Sequence, residues 1–235
     1  MSTTKFYSFH EGRGSLVLNP CCYSQKEWDS WDDLKIGKDE DIPKGELHFM
    51  VNPNFGKKFW DVVTAGKGLL YAVSEKVVKL LQDNNITGCK FYPITINDHE
   101  DLKYFLLTIT GKCGAFDISK SKVIQTIEYP EEAIQNSDII IPSGRFSIMK
   151  GFYFPLESWD GCDFFSPEGS GKIIVTERVK SLFKKHNITN VVLENIMDMV
   201  IQVFIRKTPF KGICNPNSFS VRSDLQSDRI EPTDL

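Results

Sequence analysis

One feature constrains this chain more than any other: a stretch of it occurs twice. The segments SEKVVKLLQDNNITGCKF (residues 74–91) and TERVKSLFKKHNITNVVL (residues 176–193) align without a gap at a constant offset of 102 residues. Six of the 18 positions are identical (Glu75/Glu177, Val77/Val179, Leu80/Leu182, Asn85/Asn187, Ile86/Ile188 and Thr87/Thr189), where roughly one would be expected at average composition. Ser74/Thr176, Lys76/Arg178 and Leu81/Phe183 are like for like. A fold for this chain must therefore use one local unit twice.

Each copy reads as strand, helix, strand. The runs LLYAV and KIIV have strand length, and each leads to a hydroxyl residue, Ser74 or Thr176, of the type that accepts a hydrogen bond from the first free amides of a helix. Glu75 and Glu177 follow in the first turn, where the helix dipole favours negative charge. Val77, Leu80 and Leu81, like Val179, Leu182 and Phe183, have the spacing of one buried helix face. The lysines, Lys76 and Lys79 in one copy and Lys180, Lys184 and Lys185 in the other, read as the solvated side. Asn85 and Asn187 suit the left-handed backbone at a helix exit.

Asn-Ile-Thr is also the acceptor pattern for N-linked sugar. The opening MSTTKFYSFHEGRGS lacks the basic start, apolar run and cleavage site of a secretory leader, so the expectation is a cytoplasmic protein in which this pattern is structural. The six cysteines (Cys21, Cys22, Cys89, Cys113, Cys162 and Cys214) are scattered and read as free thiols. No apolar run is long enough for a membrane helix; IMDMVIQVFI is short and contains Asp198 and Gln202.

Beyond the first copy, KFYPITI and YFLLTIT read as strands joined by the acidic loop NDHEDL, and KVIQTI, DIII and GFYF as further strands. VVLENIMDMVIQVFIRK fits either a helix or two strands. The expected class is α+β: two related strand–helix–strand lobes with mixed or antiparallel sheet and few helices. The expected organisation is an N-terminal portion with an acidic segment (1–65), a first lobe (66–128), a second lobe (129–215) and a polar, acidic tail (216–235), within one compact unit.

The search for chemistry finds no catalytic set, metal site or cofactor motif. EGSGK at 168–172 lacks the earlier glycine and following hydroxyl of a phosphate loop and precedes a strand. His10, His48, His99 and His186 have no metal-ligand spacing, and no C-x-x-C pair occurs. His99 sits with Asp98 and Glu100 in the acidic loop, the one local candidate for acid–base work, although such loops usually face water. With 28 basic against 31 acidic residues, nucleic acid is not an expected partner.

Residues 26–41, KEWDSWDDLKIGKDED, carry seven acids against three lysines, a local charge of −4 in a chain whose net charge is −3. Trp28 and Trp31 alternate there with Asp29, Asp32 and Asp33, ahead of Asp39, Glu40 and Asp41. Aromatic anchors among carboxylates fit a protein-binding surface that steers a basic partner. A similar cluster, WDGCDFF at 159–165, reads instead as core.

The order GLLYAVSEKVVKLL, CKFYPITI, YFLLTITGKCGAFDISKSKV, WDGCDFF and IIVTERVKSLFKKHNITNVVL resembles the bacterial polymorphic-toxin immunity proteins of the myxobacterial type, over residues 66–194. The resemblance implies a cytoplasmic, non-enzymatic protein that binds and neutralises a cognate toxin, with no catalytic residue, metal or cofactor. Expected partner-binding residues are Trp28, Asp29, Trp31, Asp32, Asp33, Asp39, Glu40 and Asp41, with Asp98, His99 and Glu100. Self-association is left open. The alternatives are an adaptor for another cellular protein and, third, an enzyme that reverses toxin damage through His99.

Overall fold

The computed structural model describes residues 4–12, 14–21, 46–66, 70–129, 133–135, 139–141 and 144–206. The acidic segment 26–41 and the tail 216–235 lie outside the described residues. The chain divides into two compact units, Met1–Lys120 with Phe152–Met199, and Ser121–Gly151 with Val200–Leu235.

The first unit is mostly β. Its strands are β1 (Phe6–Glu11), β2 (Val17–Pro20), β3 (Leu47–Val51), β4 (Val62–Ala65), β5 (Tyr71–Ser74), β6 (Cys89–Ile96), β7 (Tyr104–Ile109) and β8 (Gly111–Ala115), and later β13 (Phe164–Glu168), β14 (Ile173–Thr176) and β15 (Val191–Asn195). The two α-helices among the described residues, α1 (Glu75–Asp83) and α2 (Glu177–Lys185), follow β5 and β14. Few helices were expected and few are found, but the class is mostly β rather than α+β. Two nine-residue helices are minor beside the strands, many of which are too short to stand out in the sequence.

Six strands close a barrel in the order β2-β3-β6-β7-β5-β4. Leu16, Leu18, Phe49, Val63, Ala65, Ala72, Ile96 and Leu106 fill its interior, all fully buried. Five others form a sheet in the order β15-β1-β14-β13-β8. Strand for strand, this sheet repeats the barrel order β6-β7-β5-β4-β2. Both runs have three antiparallel pairings followed by one parallel pairing.

The registers agree as well. Val62 faces Val73 as Phe164 faces Val175, and Tyr71 faces Leu107 as Ile173 faces Phe9. The N-terminal strand β1 thus does for the second copy what β7 does for the first. Between the two copies lies one shared core of Val62, Val73, Val77, Leu81 and Leu107 with their counterparts Phe164, Val175, Val179, Phe183 and Phe9. Burying one apolar face against its own repeat is the driving force for keeping both copies in one unit.

Both helices end alike. Asn85 and Asn187 have φ of 50° and 49°, and the Ile86 and Ile188 amides reach back to the Leu81 and Phe183 carbonyls. This is the Schellman closure, in which a left-handed residue is followed by an apolar one packed on the last turn. The helix starts differ from expectation. Neither Ser74 nor Thr176 caps its helix with its side chain; the Glu75 and Glu177 amides donate to the Lys103 and Lys5 carbonyls, and the two hydroxyls donate to other partners.

In the second unit, β16 (Val200–Arg206), β12 (Gly144–Lys150) and β9 (Lys122–Tyr129) form an antiparallel sheet in that order. β10 (Ala133–Gln135) and β11 (Ile139–Ile141) form a hairpin. The stretch whose pattern fitted either a helix or two strands is resolved as strands β15 and β16.

Candidate functional site

The repeat brings its own polar residues together in two matching clusters. Asp61 and Asp163, themselves 102 residues apart, are the centres. Asp61 accepts hydrogen bonds from Ser74 Oγ (2.9 Å) and Lys76 Nζ (3.1 Å) of its own copy, and from the Thr189 amide and hydroxyl (both 2.9 Å) of the other. Asp163 accepts from Thr176 Oγ1 (2.8 Å) and Arg178 Nη1 (3.0 Å) of its own copy, and from the Thr87 amide (3.2 Å) of the other. The Asp61 and Asp163 amides donate in turn to Thr189 Oγ1 and Thr87 Oγ1.

Each copy therefore supplies a carboxylate to the threonine of its twin. The basic residues complete the exchange: Arg178 at the start of α2 reaches the Asn84 and Asn85 carbonyls at the end of α1, and Lys76 at the start of α1 reaches the Asn187 carbonyl beyond α2. Cations thereby meet helix C-termini, where the dipole favours them.

The repeated Asn-Ile-Thr is fully accounted for. Asn takes the left-handed turn, Ile closes the helix, and Thr binds the carboxylate of the opposite copy. Sequence reasoning missed the two aspartates because they lie 13 residues ahead of the aligned windows. Extending the alignment upstream at the same offset would have paired Asp61-Val62 with Asp163-Phe164.

The electrostatics follow from this packing. Burial pushes the Asp61 carboxyl up, but the Thr189 amide, the Ser74 and Thr189 hydroxyls and the Lys76 ammonium more than offset that, holding it below its ordinary 3.8. Burial raises the Cys89 thiol to about 12, helped by the negative charge of Asp163 and by Cys162. Burial likewise raises Cys21, Cys113 and Cys162. All four described cysteines are free, and Cys22 and Cys214 lie outside the described residues.

Of the residues expected to bind a partner, Trp28, Asp29, Trp31, Asp32, Asp33, Asp39, Glu40 and Asp41 lie outside the described residues. Asp98, His99 and Glu100 occupy the turn between β6 and β7, with Asp98 at φ 64° and its amide bonded to Glu100 Oε1. The His99 ring packs edge-on against Phe59, centroids 4.8 Å apart, while Asp98 and Glu100 are exposed. No group of three His, Cys, Asp or Glu among the described residues has the geometry to hold a metal.

The rings of WDGCDFF pack in the core, as anticipated, while Asp160 and Gly161 are exposed. Phe164 and Phe165 are fully buried, Trp159 packs edge-on to Phe6 with centroids 5.0 Å apart, and Asp160 accepts from the Lys112 and Cys162 amides.

A family model described as Immunity protein family (Imm11) matches residues 9–198. The chain belongs to this family. The match spans both copies of the repeat, both aspartate clusters and the turn that carries His99, so the exchanged clusters lie within the Imm11 region. Among curated proteins, no match was found. No helix among the described residues is long and apolar enough to cross a membrane.

Proposed function

We propose that this Imm11 protein binds a cognate bacterial toxin in the cytoplasm and neutralises it by occupying its surface, without catalysis of its own. Family membership carries this reading. The internal use of the buried polar groups supports it: the titratable residues that the repeat brings together are spent on holding its two copies to each other. In this reading the two related strand–helix–strand lobes are a rigid platform, and recognition belongs to the surface around them.

The contact is assigned to the acidic segment 26–41. Its charge of −4 would steer it towards a basic cleft on the toxin, raising the association rate where speed protects the cell. Trp28 and Trp31 are the anchors, and Asp29, Asp32, Asp33, Asp39, Glu40 and Asp41 supply the field. Asp98 and Glu100, exposed beside His99, add a second acidic contact.

The test is co-expression with the C-terminal toxin domain encoded by the neighbouring gene, followed by size-exclusion chromatography. Restored growth and co-elution are the expected result. Growth without a complex would overturn inhibition by binding. Reversing Asp29, Asp32 and Asp33 to Lys is expected to weaken the complex at least tenfold, and unchanged affinity would remove the segment from the interface.

A further inference from the structure

The two copies of the repeat serve as controls for each other, and they differ on one surface. On the first copy the helix cations are paired: Lys76 with Asp61, and Lys79 with Glu75. On the second copy, Arg178 repeats the role of Lys76, but three further lysines appear. Lys180, Lys184 and Lys185 stand where the first copy has Val78, Gln82 and Asp83.

None of the ion pairs among the described residues involves these three lysines. The Lys180 ammonium lies over the Tyr7 ring at 3.7 Å, a cation–π contact that orients it beside the groove without neutralising its charge. The Tyr7 hydroxyl in turn donates to Glu177, the helix's own acid, so that carboxylate is engaged.

Lys180 and Lys184 border an open depression of about 320 Å³ whose lining includes Ile188, Val191 and Leu193. The counterparts in the first copy are Ile86, Cys89 and Phe91, and all six side chains are partly buried against the shared core. The same partly buried apolar side chains thus lie beside a neutral, internally paired helix on one copy and beside a cationic rim on the other. A solvated helix face does not need that clustering of like charge.

We propose that this groove between α2 and β15 is a second docking surface for the toxin, taking an acidic segment in which carboxylates flank one apolar side chain. The assignment rests on the immunity reading. Carboxylates meet the Lys180 and Lys184 ammonium groups, and the apolar side chain lies on Ile188, Val191 and Leu193. The groove and the acidic segment 26–41 then engage surfaces of opposite charge on one toxin, which fixes orientation as well as affinity.

The experiment uses the full chain and the toxin domain of the neighbouring gene, titrated calorimetrically in low and in high salt. The Lys180→Glu/Lys184→Glu protein is expected to bind at least tenfold more weakly in low salt, with the gap narrowing in high salt. Lys79→Glu, on the first copy, is expected to bind as the unmodified protein does. Lys184→Gln, which installs the first copy's residue, guards against misfolding of the double variant and is expected to lose two- to fivefold.

Carbodiimide treatment of the complex is further expected to join Lys180 or Lys184 to a toxin Asp or Glu, identified by mass spectrometry. If the unmodified protein binds while the lysine variants bind equally well, the groove assignment is overturned and the immunity reading stands. If the unmodified protein does not bind the toxin, the immunity reading fails and this occupant fails with it.

Discussion

The closed barrel and the five-stranded sheet share a strand order and registers, yet they are finished differently. In the barrel, β3 lies between β2 and β6 and pairs with both. In the sheet, the corresponding place between β8 and β15 holds residues 152–154, tied by single hydrogen bonds from the Phe152 amide to Ile196 and from the Asp117 amide to Tyr153. Phe152 is fully buried there, as Phe49 of β3 is in the barrel.

The interiors compensate. The barrel is filled largely by aliphatic side chains, whereas Phe6, Phe154, Trp159 and Phe165 crowd together in the other half at centroid distances of 5.0–5.6 Å. Bulky rings fill width that a closing strand would otherwise confine. The loosened edge is also where the chain leaves the first unit, at Lys120, and returns, at Phe152. A duplicated unit can therefore keep its core and exchanged contacts while one copy gives up barrel closure to accommodate an insertion.

The sharpest way to break the correspondence is at the turn after each helix. Gly88, at φ 81°, has a counterpart in Asn190, at φ 59°. A Cβ on Gly88 would stand 1.9 Å from the Phe164 carbonyl oxygen, so Gly88→Ala is expected to cost more than about 4 kcal/mol or to prevent folding, as read by urea denaturation. Asn190→Gly loses only the side-chain bonds to Ser15 Oγ and the Val62 carbonyl, a loss of about 1–2 kcal/mol.

Next in size are the aspartates. Asp163→Ala leaves Thr176 and Arg178 without their carboxylate partner and is expected to cost about 3–4 kcal/mol; Asp61→Ala, at a residue that is half-buried where Asp163 is buried, about 2 kcal/mol. Equal losses would show that the clusters are energetically equivalent and not merely alike in geometry.

A pH titration sharpens the same comparison. The Asp61 carboxyl titrates lower in the folded than in the unfolded chain, so its contribution is complete above the unfolded value of about 3.9 and is lost as pH falls through the folded value. Asp61→Asn is expected to flatten the stability profile in that acid window and leave its shape above pH 5 unchanged. The smallest effect is expected from Cys89→Val, which installs the residue found at position 191. It is expected to change stability by less than about 1 kcal/mol, and unmodified Cys89 to react slowly with iodoacetamide at pH 8 because its thiol stays protonated.

What could be read in the sequence was local. The i, i+3, i+4 spacing of Val77, Leu80 and Leu81 located a helix, and Asn85 located its end, because both depend on neighbours within a few residues. The roles of Ser74 and Thr176 were misread because a hydroxyl before a helix has a default local partner, and the aspartate that outcompetes it sits 13 residues upstream. Barrel closure by β3 and the pairing of β1 with β14 and β15 were illegible for the same reason: strand pairing is decided by partners far away in the chain. The lysines of the second helix read as a wet face, and Lys184 and Lys185 are exposed.

The position of β1 has a consequence for synthesis. Its partners, β14 and β15, begin at Ile173 and Val191, so β1 must wait for nearly the last part of the described chain before it can pair. At typical bacterial elongation rates the wait is on the order of ten seconds, with Phe6 lacking its ring partners Phe154, Trp159 and Phe165 for most of it. The barrel can assemble earlier, but the exchanged threonine contacts cannot form until residue 189 has emerged, and the first unit is interlocked only from that point.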